Sequence, residues 1–98
     1  MAQVVYTAEA LEDIERAFAF PGERDPYSAN AAVVAIHNAI SILSEHPLIG
    51  RISEKHALRE LVISFGRTGY LALYRFRPDR DEVRVLALRH QRELDYPI

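Results

Sequence analysis

Ninety-eight residues supply one hydrophobic core with no room for a second, so residues 1–98 are expected to form a single domain. A hydrophobic content of 49% with 27% charged residues excludes wholesale disorder, and no apolar run approaches the ~18 residues of a membrane span. The absence of cysteine excludes disulfide scaffolds, zinc ribbons and thiol nucleophiles. The formal charge of −2 divides unevenly: residues 1–50 carry −5 and residues 51–98 carry +3. Eleven of the twelve basic residues are arginine, whose planar guanidinium suits bidentate recognition of carboxylate or phosphate. At a pI near 6.1 the chain is nonetheless not the basic protein expected of a dedicated nucleic-acid binder. Without a basic and apolar leader at Met1–Tyr6, a soluble cytoplasmic protein is expected.

Along the chain, Gln3-Val4-Val5-Tyr6 is β-branched and aromatic and predicts a short strand. Thr7 is placed to cap a helix, with Glu9, Glu12 and Asp13 near its positive end. Leu11, Ile14 and Phe18, with Ala10 and Ala17, recur at helical spacing and predict its buried face. Phe20-Pro21-Gly22 ends that helix, and Asp25-Pro26 opens a second. Its buried stripe is Ala29, Ala32, Val33, Ile36, Ile40 and Leu43, and Pro47 stops it near His46.

After Lys55 the period falls to two. Arg59, Leu61, Ile63 and Phe65 share one face of a strand, and Leu58, Glu60, Val62 and Ser64 the other. Gly66 to Gly69 makes a hairpin loop. Tyr70, Ala72, Tyr74 and Phe76 then alternate with Leu71, Leu73, Arg75 and Arg77. A turn at Pro78–Asp81 leads to a last strand, with Val83, Val85 and Ala87 on one side and Leu86 and Leu88 on the other. The sum is an α+β fold, β-α-α-β-β-β, with an antiparallel helix hairpin on a mainly antiparallel four-stranded sheet.

The four histidines lack the spacing of a helical metal site, and no phosphate loop or nucleophile elbow is present, so neither a metal nor a cofactor is expected. Three places carry chemistry: His46-Pro47-Leu48-Ile49-Gly50-Arg51; the arginines and aromatics of the middle strand; and Arg89-His90-Gln91-Arg92 with Tyr96 beyond. Imidazole, guanidinium and phenol at a strand end have the makings of acid–base chemistry on a phosphodiester. A chain this size cannot cover both faces of its sheet, so one face is expected to keep exposed leucine and valine. Leu58, Val62, Leu71 and Leu73, or the converse set, would form that patch, with Arg59, Arg75 and Arg77 around it as a partner site.

An ordered series of short motifs carries a resemblance. Tyr6-Thr7-x-Glu9-Ala10, His46-Pro47-Leu48-Ile49-Gly50-Arg51, Arg59-Glu60-Leu61, Gly69-Tyr70-x-Ala72-Leu73-Tyr74 and Val85-Leu86-Ala87-Leu88-Arg89-His90 together resemble the RelE/ParE toxin superfamily, from Tyr6 to Tyr96. The resemblance implies a bacterial type II toxin–antitoxin (plasmid stabilisation) module and its helix-hairpin-on-sheet fold. In its mRNA-cleaving branch an arginine stands on the middle strand just before the Leu-x-Tyr segment; here that position is Leu71. Together with the low pI this favours the ParE side: inhibition of DNA gyrase, no catalysis, and neutralisation by a ParD-like antitoxin, a ribbon-helix-helix protein with an acidic amphipathic tail. No sequence-specific nucleic-acid binding and no membrane contact are implied. Arg51, Arg89, His90, Arg92 and Tyr96 are then the expected target contacts. The alternatives are a RelE-like ribosome-dependent mRNA endonuclease using His90, Arg92 and Tyr96, or a degenerate member that binds its antitoxin but poisons nothing.

Overall fold

In a computed structural model the described residues are 1–19, 26–54 and 57–92, with side chains omitted for 17–19 and 26–29. The chain opens with β1 (Gln3–Tyr6) and α1 (Ala8–Ala19), joined at Thr7. The Thr7 hydroxyl accepts from the Ala10 amide at 3.0 Å, the expected N-cap, and donates to the Leu86 carbonyl at 3.3 Å. One side chain therefore starts the helix and ties it to the far end of the sequence. α2 (Pro26–Ser41) runs into a 3₁₀ turn at Ile42–Ser44 rather than reaching His46 as a regular helix. The helix break at Phe20-Pro21-Gly22 and the Asp25 cap lie outside the described residues.

Strands β2 (Arg51–Ile52), β3 (Arg59–Phe65), β4 (Thr68–Arg77) and β5 (Glu82–His90) complete a five-stranded sheet in the order β1-β5-β4-β3-β2. The two-residue β2 is one strand more than the sequence pattern predicts. It pairs antiparallel with β3, Arg51 opposite Glu60 and Ile52 opposite Arg59. β1 pairs parallel with β5, Gln3 opposite Glu82 through Tyr6 opposite Val85, while every other pairing is antiparallel.

The helices cover one face of the sheet. Ala10 and Ile14 of α1 and Ala32, Ile36 and Ile40 of α2, with Leu43, pack on Ile63, Tyr70, Ala72, Tyr74, Val83, Val85 and Leu88. The α2 stripe is the expected one for its described side chains. On α1, Leu11 is about half exposed and the buried positions are Ala10, Asp13 and Ile14. Leu11 was expected inside; the helix is rolled so that a carboxylate takes a core position instead.

That carboxylate has a partner set by a β-bulge. The register between β4 and β5 shifts at Leu73/Tyr74, leaving Leu86 as the extra residue on β5. The bulge reverses the inward–outward alternation. Val83 and Val85 face the helices before it, and Leu88 and His90 face them after it. Ala87, expected beside Val83 and Val85, turns to the opposite face and packs with Leu58, Leu71 and Leu73. β1 ends here, so the second half of β5 has no strand neighbour on that side. α1 supplies the substitute: the buried Asp13 carboxylate accepts from the Leu88 amide at 3.0 Å, and Arg16 donates to the Leu88 carbonyl at 3.2 Å. Asp13→Ala leaves that amide without its acceptor and is expected to cost roughly 1–3 kcal/mol in urea unfolding, whereas Asp13→Asn, which keeps an acceptor oxygen, is expected to lose less.

Candidate functional site

The face of the sheet away from the helices carries most of the predicted partner site. β3 contributes Glu60 and Val62, β4 contributes Leu71, Leu73, Arg75 and Arg77, and β5 contributes Arg84, Ala87 and Arg89. The apolar centre is not open as expected. Leu71 is 5% exposed, Leu73 is 0% exposed and Leu58 is buried, because they form a second small cluster with Ala87 and the flanking Leu86. Val62 is the member of the predicted set that stays exposed.

What this face presents is charge. Arg75 and Arg84 stand directly opposite each other across β4 and β5, both exposed. Arg84 bonds Glu82 at 3.1 Å and Arg77 lies 3.9 Å from Asp79, but Arg75 has no carboxylate within ion-pair distance among the described residues. Like charges facing each other across a ladder destabilise the pair unless an anion lies between them. The face is thus chemically suited to carboxylates. Arg59 does not belong to it. It lies on the helix side of β3, opposite Tyr74, and its guanidinium turns inward, so its predicted place on the rim is corrected.

Arg59 instead grips the loop before β2. Its Nη1 donates to the Gly50 carbonyl at 2.7 Å and to the Leu48 carbonyl at 3.2 Å. From within the core the Tyr74 hydroxyl donates to the Pro47 carbonyl at 2.8 Å and accepts from the Gly50 amide at 2.9 Å. The Ile49 amide closes on the His46 carbonyl at 3.1 Å. Gly50 is required by proximity: a Cβ there would lie 2.6 Å from the Tyr74 ring and hydroxyl. With its backbone bonded inward, the loop turns Leu48 and Ile49 out to 58% and 59% exposure. Arg51, the predicted target contact at its end, is exposed, with Nε 2.8 Å from Glu60.

At the other end of the sheet His90, an expected target contact, is turned into the fold. It is 2% exposed, edge-on to Tyr70. Its Nδ1 accepts from the Arg92 amide at 3.1 Å, which leaves Nε2 to hold the proton and donate to the Thr68 hydroxyl at 2.9 Å. Both ring nitrogens are occupied in binding the end of β5 to the β3–β4 hairpin, and the Gln91 amide adds a bond to the Gly69 carbonyl at 2.9 Å. Arg89 is half-buried opposite Leu71 and Arg92 is exposed. Tyr96 lies outside the described residues. No cluster of metal-ligating side chains occurs among the described residues, nor any helix long and apolar enough to cross a membrane.

This two-helix, five-stranded arrangement is found in chains of solved toxin–antitoxin systems. The chain covers 94% of itself and 96% of a chain in the chromosomal ParDE toxin–antitoxin system of P. aeruginosa, with a TM-score of 0.69 at 23% identity. The intact RelBE toxin–antitoxin complex of E. coli gives a TM-score of 0.62 at 13% identity, over 95% of this chain and 99% of the other. The RelBE2 complex of Mycobacterium tuberculosis gives 0.58 at 27% identity, over 91% and 96%. In sequence, the model of the ParE toxin of the parDE type II toxin–antitoxin system matches residues 4–95. Toxin RelE3 of Caulobacter vibrioides is 31% identical over 93 residues, 95% of this chain and 98% of that one. The chain belongs to the ParE toxin family of type II toxin–antitoxin systems, within the RelE/ParE superfamily.

The loop lock has a titratable member. Burial raises the Tyr74 phenol above its ordinary pKa of 10.0, while the Gly50 amide and the Arg59 charge pull it partly back. A phenol with a raised folded-state pKa favours the fold while neutral, so this contribution is complete below pH 10 and is lost as the pH rises through the folded value. Tyr6 is raised by burial in the same direction. Tyr74→Phe is expected to lower stability by about 1–3 kcal/mol near neutrality and to flatten the alkaline decline of the thermal midpoint without abolishing it.

Proposed function

We propose that this toxin acts by inhibiting DNA gyrase and is held inactive by a ParD-like antitoxin whose acidic tail lies along the arginine-bearing sheet face. One observation carries the choice against mRNA cleavage: Leu71 stands at the middle-strand position of the catalytic arginine and is buried, so that position itself supplies no cation. Losing a guanidinium aimed at the scissile phosphate removes the transition-state charge stabilisation on which such chemistry depends. His90 adds to this, since its two ring nitrogens are engaged inside the fold. The RelE3 name of the Caulobacter relative keeps the ribosome-dependent endonuclease as the second reading, with the exposed Arg92 as its accessible member of the predicted catalytic set.

For the antitoxin, Arg75, Arg77 and Arg84 provide the rim and Val62 the exposed apolar contact. Leu58, Leu71 and Leu73 support that face from beneath. Charges of this kind chiefly accelerate encounter and select the partner. Arg75→Glu is therefore expected to slow association with the antitoxin and to reduce its salt dependence, with the thermal midpoint unchanged.

Purified protein is expected to inhibit gyrase supercoiling in vitro, and stoichiometric antitoxin is expected to restore it. Primer extension on messages undergoing translation is expected to show no new 5′ ends. Codon-positioned cuts that vanish on Arg92→Ala would reverse the assignment to the nuclease reading.

A further inference from the structure

On the reading that the antitoxin's acidic tail lies along the arginine-bearing face, we infer that Arg75 and Arg84 clamp a single carboxylate of that tail. This one side chain then fixes where the tail sits along the sheet. As a purely structural feature the pair is costly. Arg75 and Arg84 are direct partners in the β4–β5 ladder and project from the same face. Cross-strand neighbours have Cβ atoms roughly 4.5–5.5 Å apart, a separation at which like charges destabilise the ladder. β-Branched or aromatic residues would serve the strands better at such positions.

Charge identifies what the pair lacks. Among the arginines around it, Arg51 bonds Glu60, Arg84 bonds Glu82, and Arg77 lies near Asp79. Arg75 has no such carboxylate among the described residues. Two arginines, Arg75 and Arg84, against the one carboxylate of Glu82 leave a single positive charge, which one further carboxylate cancels. A phosphate monoester, at about −1.5 to −2, would overshoot that balance beside Glu82. Glu60 and Glu82 also interrupt the face as a track for the evenly spaced phosphates of a nucleic acid.

Geometry suits the same ligand. Glu82 accepts from the Arg84 Nε at 3.1 Å, which sets the orientation of that guanidinium and leaves its terminal nitrogens to donate. Arg75 keeps its whole fork. A carboxylate has two oxygens and about four acceptor sites, so it can take the fork of Arg75 and still accept from Arg84. Val5 stands opposite Arg84 on β1, and the buried Leu73 lies two positions before Arg75 on the same face. Hydrocarbon on both sides reduces the screening of the contact by water. The bound carboxylate also removes the repulsion present in the free toxin. A rim arginine elsewhere would steer the tail, but two guanidiniums sharing one carboxylate define a register.

The test uses the full chain and the antitoxin encoded beside it. The variants are Arg75→Gln, Arg84→Gln, the two together, and Arg67→Gln as an exposed control with the same change in charge. Dissociation constants and thermal midpoints are measured for each. The inference expects at least a tenfold loss of affinity for each clamp variant and less than threefold for Arg67→Gln. The double variant is expected to lose no more than about threefold beyond the weaker single, because one shared carboxylate couples the two arginines. The Arg75→Gln midpoint is expected to be no lower than that of the wild type. Replacing the antitoxin's acids by their amides one at a time is expected to find one position whose loss matches the clamp variants and vanishes in the Arg75→Gln background. Losses that multiply in the double variant, an equal loss in Arg67→Gln, or a scan in which no acid stands out would overturn the clamp while leaving the tail on this face. A lowered Arg75→Gln midpoint would overturn it too, by giving that arginine a partner within the toxin. Full affinity in both clamp variants would remove the tail from this face and the clamp with it. A wild type that forms no complex with that antitoxin overturns the neutralisation reading and the clamp together.

Discussion

The handover of hydrogen bonding on β5 at Leu86 is the constraint on which the rest of the sheet depends. Up to Val85 the strand is flanked by β1; beyond it, β1 has turned into α1 and a bare strand edge would remain. Thr7 holds the Val85 and Leu86 carbonyls at the turn, through its amide and its hydroxyl respectively, and Asp13 with Arg16 takes both backbone groups of Leu88. A helix side chain thus does the work of a missing strand. The extra residue accommodated at that point reverses which side chains face the helices, and every assignment of Ala87 to His90 follows from it.

The reversal has chemical consequences at the strand's end. It turns His90 into the core against Tyr70 and Thr68, and it places Arg89 on the outer face beside Leu71. An imidazole that accepts from one amide and donates to one hydroxyl braces the end of the strand.

Charge is distributed over the molecule by the same geometry. The acidic first half of the sequence becomes largely helix, with the acids of α1 in solvent except Asp13. The arginine-rich second half becomes sheet, and alternation on β4 and β5 brings Arg75, Arg77 and Arg84 to one face. Arg51 and Arg59 are neighbours in the same strand pair yet serve differently. One is exposed against Glu60, while the other secures loop carbonyls from the helix side. A modest net charge therefore conceals a one-sided cationic surface, with the apolar loop at a different place on the molecule.

The sequence by itself determined the elements that local physics governs. Thr7 as a cap, the Ala32–Leu43 stripe, a hairpin turn opening at Gly66 and the alternation of β3 and β4 follow from hydrogen-bonding capacity and from periods of 3.6 and 2. That turn closes in two residues, Gly66 and Arg67, where four were expected, because Thr68 and Gly69 already pair with Phe65 and Ser64. The ordered motifs also led to the right superfamily. Tertiary structure decided what depends on partners distant in the chain. The parallel pairing of β1 with β5 and the role of Asp13 join residues separated by more than seventy positions. So does the lock of Tyr74 on Gly50, 24 positions away. No local pattern distinguishes an acid in the first turns that faces water from one that caps a strand. Nor does any show that a bulge will exchange the two faces of β5 at Leu86. Periodicity assigns a side chain to a face, but only the packed neighbours establish whether that face is open, and here they enclosed Leu71 and Leu73 while leaving Leu48 and Ile49 outside.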